Sequence, residues 1–179
     1  MYTDNQIIQI FLPILKAGLT SYGFENVPVV QANQPTIEGI NTEPTVYFYK
    51  VSNVFHGFPG WQDSWDGESM KHLDEQQILA TFKIFALVLQ FPSTPNQYTA
   101  SDLVNVAASV LQSQNTVTQL KKSGVGILKI SNIDNPYFAD DRDQYEATPS
   151  FDFILSYKNS RILTESIVQL PIGIDIQPI

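Results

Sequence analysis

Two histidines and a set of carboxylates crowd one short stretch of this chain. His56 and His72 flank Asp63, Asp66 and Glu68. Imidazole nitrogen and carboxylate oxygen are metal ligands, so the group is a candidate metal site. Its spacing matches no known ligand pattern, and two histidines on a polar arm are ordinarily just solvated. No metal is expected there. A second acidic run, Asp140-Asp141-Arg142-Asp143 with Asp134 upstream, has the composition of a calcium loop. The calcium-loop pattern needs Gly at its sixth position and Glu at its twelfth, and neither fits from any start. The run therefore reads as a solvated, turn-forming loop with a local Arg–Asp pair.

Glycoside hydrolysis needs two carboxylates at a fixed separation. Asp66, Glu68, Asp141 and Glu146 could supply them, and Trp61, Trp65, Tyr137 and Phe138 could stack on sugar rings. A carbohydrate-binding module or glycoside hydrolase is thus the alternative reading from another functional class. The same aromatics equally suit a protein–protein contact, where Trp and Tyr are enriched. The chain contains no GxSxG, P-loop or GxGxxG signature. No catalytic residue and no cofactor is assigned, and an enzyme is not expected.

Bulk properties narrow the classes further. The 179 residues suit one domain. Charged residues make up only 16%, against about a quarter in an ordinary soluble domain. Either part of the surface is hidden in an assembly, or Gln, Asn, Ser and Thr supply the polarity. The net charge of −8 repels phosphate, so specific nucleic-acid binding is not expected. With no cysteine, disulfides and thiolate metal sites are excluded. The N-terminus lacks the basic and apolar regions of a signal peptide. The longest apolar run, 84–89, is far short of the ~20 residues that span a bilayer. The protein is expected to be made in a cytoplasm and to leave it only within something larger.

The elements that must carry these residues centre on 76–91, QQILATFKIFALVLQF. Ile78, Ala80, Phe82, Ile84, Ala86 and Val88 fall on one face of a period-2 strand. Leu79, Thr81, Phe85, Leu87 and Leu89 fall on the other, interrupted only by Lys83. Both faces are apolar, so both are expected to be covered, by helices on at least one side. Upstream, Thr3 and Gln6 form a capping-box pattern before an amphipathic helix over 4–22, with Ile7, Phe11, Ile14 and Leu15 on one stripe. Pro13 is expected to bend it. Val29-Val30 is a short strand candidate, and 45–54 is a clear strand rich in β-branched and aromatic residues.

The antiparallel pairing of 45–54 with 76–91 leaves 55–75 as a projecting β-hairpin arm bearing both tryptophans, with Asp66-Gly67 as its turn. Thr99 and Asp102 open a helix over 100–114, and 116–123 is a second helix stopped by Gly124. A strand follows at 125–133, then an ordered loop over 134–149. The last pair of strands, 150–157 and 162–176, is expected to turn near Lys158-Asn159-Ser160. Strands and helices are segregated along the chain. The fold class is therefore α+β, a largely antiparallel or mixed sheet with helices packed on it, in one domain over 1–179.

Several stretches resemble a family of tailed-bacteriophage neck proteins, of the tail-terminator or gateway type. They are Gln34-Pro35-Thr36 with EPTVYFYKV (43–51), GFPGWQDSW (57–65), YTASDLVNVAASVLQS (98–113) and GVGILKISNIDNPYFADDRDQYEATPSFDF (124–153). The last is the most specific, because its Pro-Tyr-Phe followed by an acidic, Arg-containing run has no general structural reason to recur. The resemblance implies a tail-terminator-like fold and a structural virion protein. Six copies would form a ring that ends the tail tube and joins it to the head-side connector or head-completion protein. Its other partners would be the tail tube and sheath proteins, with DNA passing through the lumen. It implies no catalytic or cofactor residues, no membrane contact, and a place in the virion neck after assembly in the host cytoplasm. On the residues themselves, Phe58, Trp61 and Trp65 on the arm and Tyr137, Phe138 and Arg142 on the loop are the candidate assembly contacts. They are aromatics on segments too broken to be core. Arg142 pairs either across a subunit boundary or locally with Asp140 or Asp143. Lys83, the lone charge on the central strand, is a further candidate for an inter-subunit partner.

Overall fold

The computed structural model describes residues 2–32, 43–65, 67, 69–88, 98–139 and 145–166. Helix α1 spans Asp4–Ser21. It opens on a reciprocal capping box: the Thr3 backbone N–H donates to Gln6 Oε1 (2.8 Å) and Gln6 N–H donates to Thr3 Oγ1 (3.3 Å). Its buried stripe is Ile7, Ile8, Phe11, Leu15 and Leu19, while Pro13 lies within the helix on its exposed side. Helix α2, Ala100–Gln112, starts from a second capping box between Thr99 and Asp102. Helix α3, Gln114–Lys122, follows at once, because Ser113 both ends α2 and caps α3. Gly124 then takes φ +67°, a left-handed conformation that stops the helix and that a side chain would resist.

Five strands form the main sheet in the order β1-β2-β3-β7-β4: β1 Val29–Gln31, β2 Thr45–Trp65, β3 Ser69–Leu87, β4 Val125–Ile130 and β7 Ser150–Ser166. Only β1 and β2 run parallel; the other pairs are antiparallel. The expected α+β class with a mixed sheet and packed helices holds. Two short strands, β5 Tyr137–Ala139 and β6 Tyr145–Ala147, pair separately within 134–149.

One side of the sheet carries the core. Ile78, Ala80, Phe82, Ile84 and Ala86 of β3 are buried, in line with Phe151, Phe153, Leu155 and Tyr157 of β7. The α1 stripe packs down on them. The Phe11 ring meets Phe48, Phe82 and Phe153 with centroids 5.2, 5.1 and 5.6 Å away. Edge-on ring contacts of this kind add to area burial. Helix α2 fits beside α1 because Gly18 has no side chain: a Cβ there would lie 2.2 Å from Val110 Cγ1.

Three expectations need correction. The opposite face of β3 is not covered by the helices; Leu79, Thr81, Lys83, Phe85 and Leu87 are half-buried. They cover one another across the strands, as where Tyr47 stacks on Phe85 at 5.1 Å. Next, the chain does not turn at Lys158-Asn159-Ser160. Strand β7 runs straight through, pairing Lys158 with Gln77, Asn159 with Gln76 and Ser160 with Glu75. A ladder supplied by a neighbouring strand outweighs local turn preference. Lastly, the stretch beyond the core is not a two-stranded hairpin, because β7 lines β3 as far as Ser166 opposite Ser69. The expected strand at 162–176 falls partly outside the described residues.

A candidate assembly surface on the uncovered end of the sheet

Strand β3 is 19 residues long, about 63 Å at the usual rise per residue. The helices cover only its C-terminal half. Past Lys50, every side chain of β2 is exposed, and the same is true of residues 160–164 in β7. The result is a three-stranded ribbon made of β2 beyond Lys50, the first half of β3 and β7 beyond Tyr157.

Two irregularities shape the ribbon, both on β2. Val51 is an extra residue between the pairs Lys50–Phe82 and Ser52–Thr81. Residues 57–59 then stand opposite Gln76 alone, between His56–Gln77 and Gly60–Glu75. The Gln76 side chain holds this bulge, its Nε2 donating to the Gly57 carbonyl at 2.9 Å. Gly57 adopts φ +71°, which favours glycine, and Pro59 has no N–H to lose. Phe58, at the crest, is 98% exposed. Such bulges re-aim side chains and accentuate twist.

Beyond the bulge the register decides which side each aromatic takes. Trp61 pairs with Asp74 and Trp65 with Met70. Even-numbered β3 residues point to the helix side, so both tryptophans continue the face that carries the core. Among the described residues no helix covers them there, and Trp61 is 81% exposed. Across β3 from them stand Arg161 and Glu165 of β7, with Leu163 between. By the same register Asp63, His72, Asp74 and Arg161 lie on this face too, so the helix-side face of the ribbon sets Trp61, Trp65, Met70 and Leu163 among charged side chains. Exposed tryptophans are the residue type most enriched at protein–protein contacts.

The candidate metal group is not assembled. His72 Nδ1 lies 2.7 Å from Asp63 Oδ1. His56 pairs with Gln77, five residues further along β3, about 16 Å away and on the opposite face. Among the described residues no group of three or more His, Asp or Glu side chains could hold a metal ion. Asp66, Glu68, Asp141 and Arg142 lie outside the described residues, and Glu146 falls in β6. Lys83 finds its partner inside the chain, with Nζ 3.6 Å from Asp152 Oδ1. This removes the reason for seeking one across a boundary. Sequence reasoning missed the contribution of β7, whose Ile162 (65% exposed) joins the exposed apolar set. The alternation of Ile162, Thr164 and Ser166 against Arg161 and Leu163 was the available signal.

The two groups of candidate contacts do not come together. Asp134 bridges to Ser150 just before β5, and Ser150 pairs with Phe85 near the C-terminal end of β3. Trp65 pairs with Met70 at the other end. Fifteen residues of β3 separate these levels, about 50 Å along the strand. Tyr137 and Phe138 thus begin near one end of the long sheet, and Trp61 and Trp65 occupy the other.

Between body and ribbon lies an open cleft of about 500 Å³, lined by Gly60, Glu75, Gln77, Gly124, Tyr157 and Lys158. Two of its charges pair, Lys158 Nζ lying 2.8 Å from Glu75 Oε2, and Lys121 also lines it. Among the described residues no helix is long and apolar enough to cross a membrane.

A small helix-backed sheet thus runs on into an exposed, tryptophan-bearing ribbon. Residues 6–167 match the family described as the E217 gateway protein gp29. The chain belongs to this gateway family. The match runs from the first turns of α1 to the end of β7, so it includes the ribbon as well as the helix-backed body. No curated protein matches the chain. The gateway family is one of phage neck proteins, and a structural role in the neck goes with membership. The resemblance found on the sequence motifs is thereby confirmed.

Proposed function

We propose that this gateway protein is a ring subunit of the phage neck. Several copies, six by analogy with tail terminators, close around a lumen that carries the DNA. The ring ends the tail tube and meets the head-side connector. The observation that carries this reading is the bare helix-side face of the ribbon with Trp61 and Trp65. A solitary domain gains nothing from exposing that face, whereas a ring subunit buries it against a neighbour. The remoteness of Tyr137 and Phe138 from the tryptophans supports a part with two working ends, one for each direction along the neck. The net charge of −8 also suits a conduit that must let DNA pass without gripping it.

The test combines negative-stain microscopy and light scattering on the purified chain with immunogold labelling of phage particles. Ring-shaped particles of about six masses, and label between head and tail, are the expected results. Label absent from the neck, with the chain strictly monomeric when mixed with tail tubes, would sink the proposal.

A further inference from the structure

Among the described residues, both margins of the ribbon are open strand edges. On the outer side of β2, β1 pairs only with Val46, Tyr47 and Phe48. On the outer side of β7, β4 pairs only from Phe153 to Tyr157. Among the described residues nothing lies beside β2 after Phe48 or beside β7 after Tyr157. A long edge presents a row of unpaired backbone N–H and C=O groups, and natural proteins normally cover, shorten or charge it. Here two such edges stand on one ribbon, at the same level: Gln62 and Ile162 both pair with Leu73, from opposite sides.

The direction of the strands says what each edge fits. Strands β2 and β7 are both antiparallel to β3, so they run the same way. If copies are related by rotation about an axis roughly along the strands, β7 of one copy meets β2 of the next in parallel. Every copy then uses both of its edges, and the array closes with none left over. A two-fold pairing of β2 with β2 would leave both β7 edges bare. Head-to-tail contacts are the kind that generate rings.

We infer that the β2 edge at 60–65 and the β7 edge at 158–166 join neighbouring copies by parallel strand addition, so that the ribbons form one continuous barrel. This inference rests on the ring reading above and specifies its interface. Three strands from each of six copies give a barrel of about 18 strands, a size that leaves an aqueous channel. At the usual strand spacing and tilt its backbone is ~35 Å across. The helices occupy one side of each sheet and must lie outside, so the other side lines the channel. In the ribbon that side carries Gln62, Ser64, Lys71, Glu75, Ser160 and Thr164 with Leu73 and Ile162 at one level, so the wall is mostly polar. The body is five strands wide and the ribbon three, so the bodies must flare outward from the barrel.

The chain has no cysteine, which makes a crosslinking test clean. Gln62→Cys is combined in turn with Lys158→Cys, Ser160→Cys, Ile162→Cys and Thr164→Cys. These positions share one face and sample the register shifts that barrel shear allows. Phage particles carrying each variant as their only copy of the protein are treated with a short bifunctional thiol reagent and run under denaturing conditions. At least one pairing should give a ladder of multimers, with each single-cysteine variant stopping at dimers. Backbone amides of 60–65 and 158–166 in particles with the unsubstituted chain should exchange at least tenfold more slowly than in the free chain. Particles that contain the protein yet show neither ladder nor protection overturn the shared barrel and leave the neck assignment standing. Particles that form normally without containing the protein overturn both.

Discussion

Phe82 and Trp61 project from the same face of one sheet, yet Phe82 is 1% exposed and Trp61 is 81% exposed. The difference is the helix layer, which covers β3 from Ile78 onward and is missing over the ribbon. The face is continuous, but among the described residues only the half beside the C-terminal part of β3 is closed.

Replacing Trp61 and Trp65 with Ala should therefore leave the fold almost unchanged. Neither ring is in the core, so each change should stay within about 0.5 kcal/mol of parent stability. Attachment should suffer instead, because buried Trp anchors at interfaces commonly cost 2 kcal/mol or more when truncated. Urea melts and particle assembly assays on the double variant separate the two effects. Normal assembly with an intact fold would show that the tryptophans are not anchors.

The α1–α2 contact makes a sharper stability prediction. A methyl at Gly18 would sit 2.2 Å from Val110 Cγ1. Helix propensity alone favours Gly18→Ala by up to ~1 kcal/mol. Overpacking opposes it by about 1–3 kcal/mol, so the variant should be net destabilised. Adding Val110→Ala frees the space, and the pair should be coupled by at least ~0.5 kcal/mol in a double-mutant cycle on denaturation midpoints. Strict additivity would mean the helices simply move apart.

Removing the Thr99 hydroxyl tests how far the second capping box supports α2. Thr99 Oγ1 accepts from Asp102 N–H at 3.2 Å, and Asp102 Oδ2 accepts from Thr99 N–H at 2.8 Å. Thr99→Ala should cost about 1 kcal/mol by thermal melting, and Thr99→Ser distinctly less. Equal losses for Ala and Ser would assign the effect to the methyl group rather than the cap.

Tyr157 gives a pH prediction. Burial, and secondarily the Asp4 carboxylate, raises its hydroxyl above the ordinary value of 10.0. The folded chain thus keeps a proton that the unfolded chain loses. Stability from this group is intact below about pH 10 and declines as pH rises further. Tyr157→Phe has no proton to lose, so it should lose less stability than the parent between pH 9 and 11. Parallel urea-midpoint curves for the two proteins would remove Tyr157 as the cause.

Much of the fold was legible because its signals are local. Both capping boxes, the Gly124 stop and the alternation of Ile78 to Ala86 lie within a few residues of the structure they cause. The pairing of 45–54 with the central strand could also be read, since a short connection leaves antiparallel neighbours little choice. The aromatic contact candidates were legible as residue types on 57–65, and the register has since set which face two of them take. What could not be read was the third strand. Asn159 and Ser160 look like a turn when only their neighbours in sequence are considered. In the folded chain they lie opposite Gln76 and Glu75, more than 80 positions away, and a shared ladder overrules their preference.

The amino-acid sequence by itself determined the helices, the α+β class, the central strand and the family, because short-range hydrogen bonding, side-chain periodicity and distinctive motifs are properties of contiguous residues. Only the tertiary structure decided that helices cover one face, that the arm has three strands and that, among the described residues, two edges stay open on it. Those outcomes depend on which distant segment reaches each strand first. A backbone edge looks the same in sequence whether it is paired or bare.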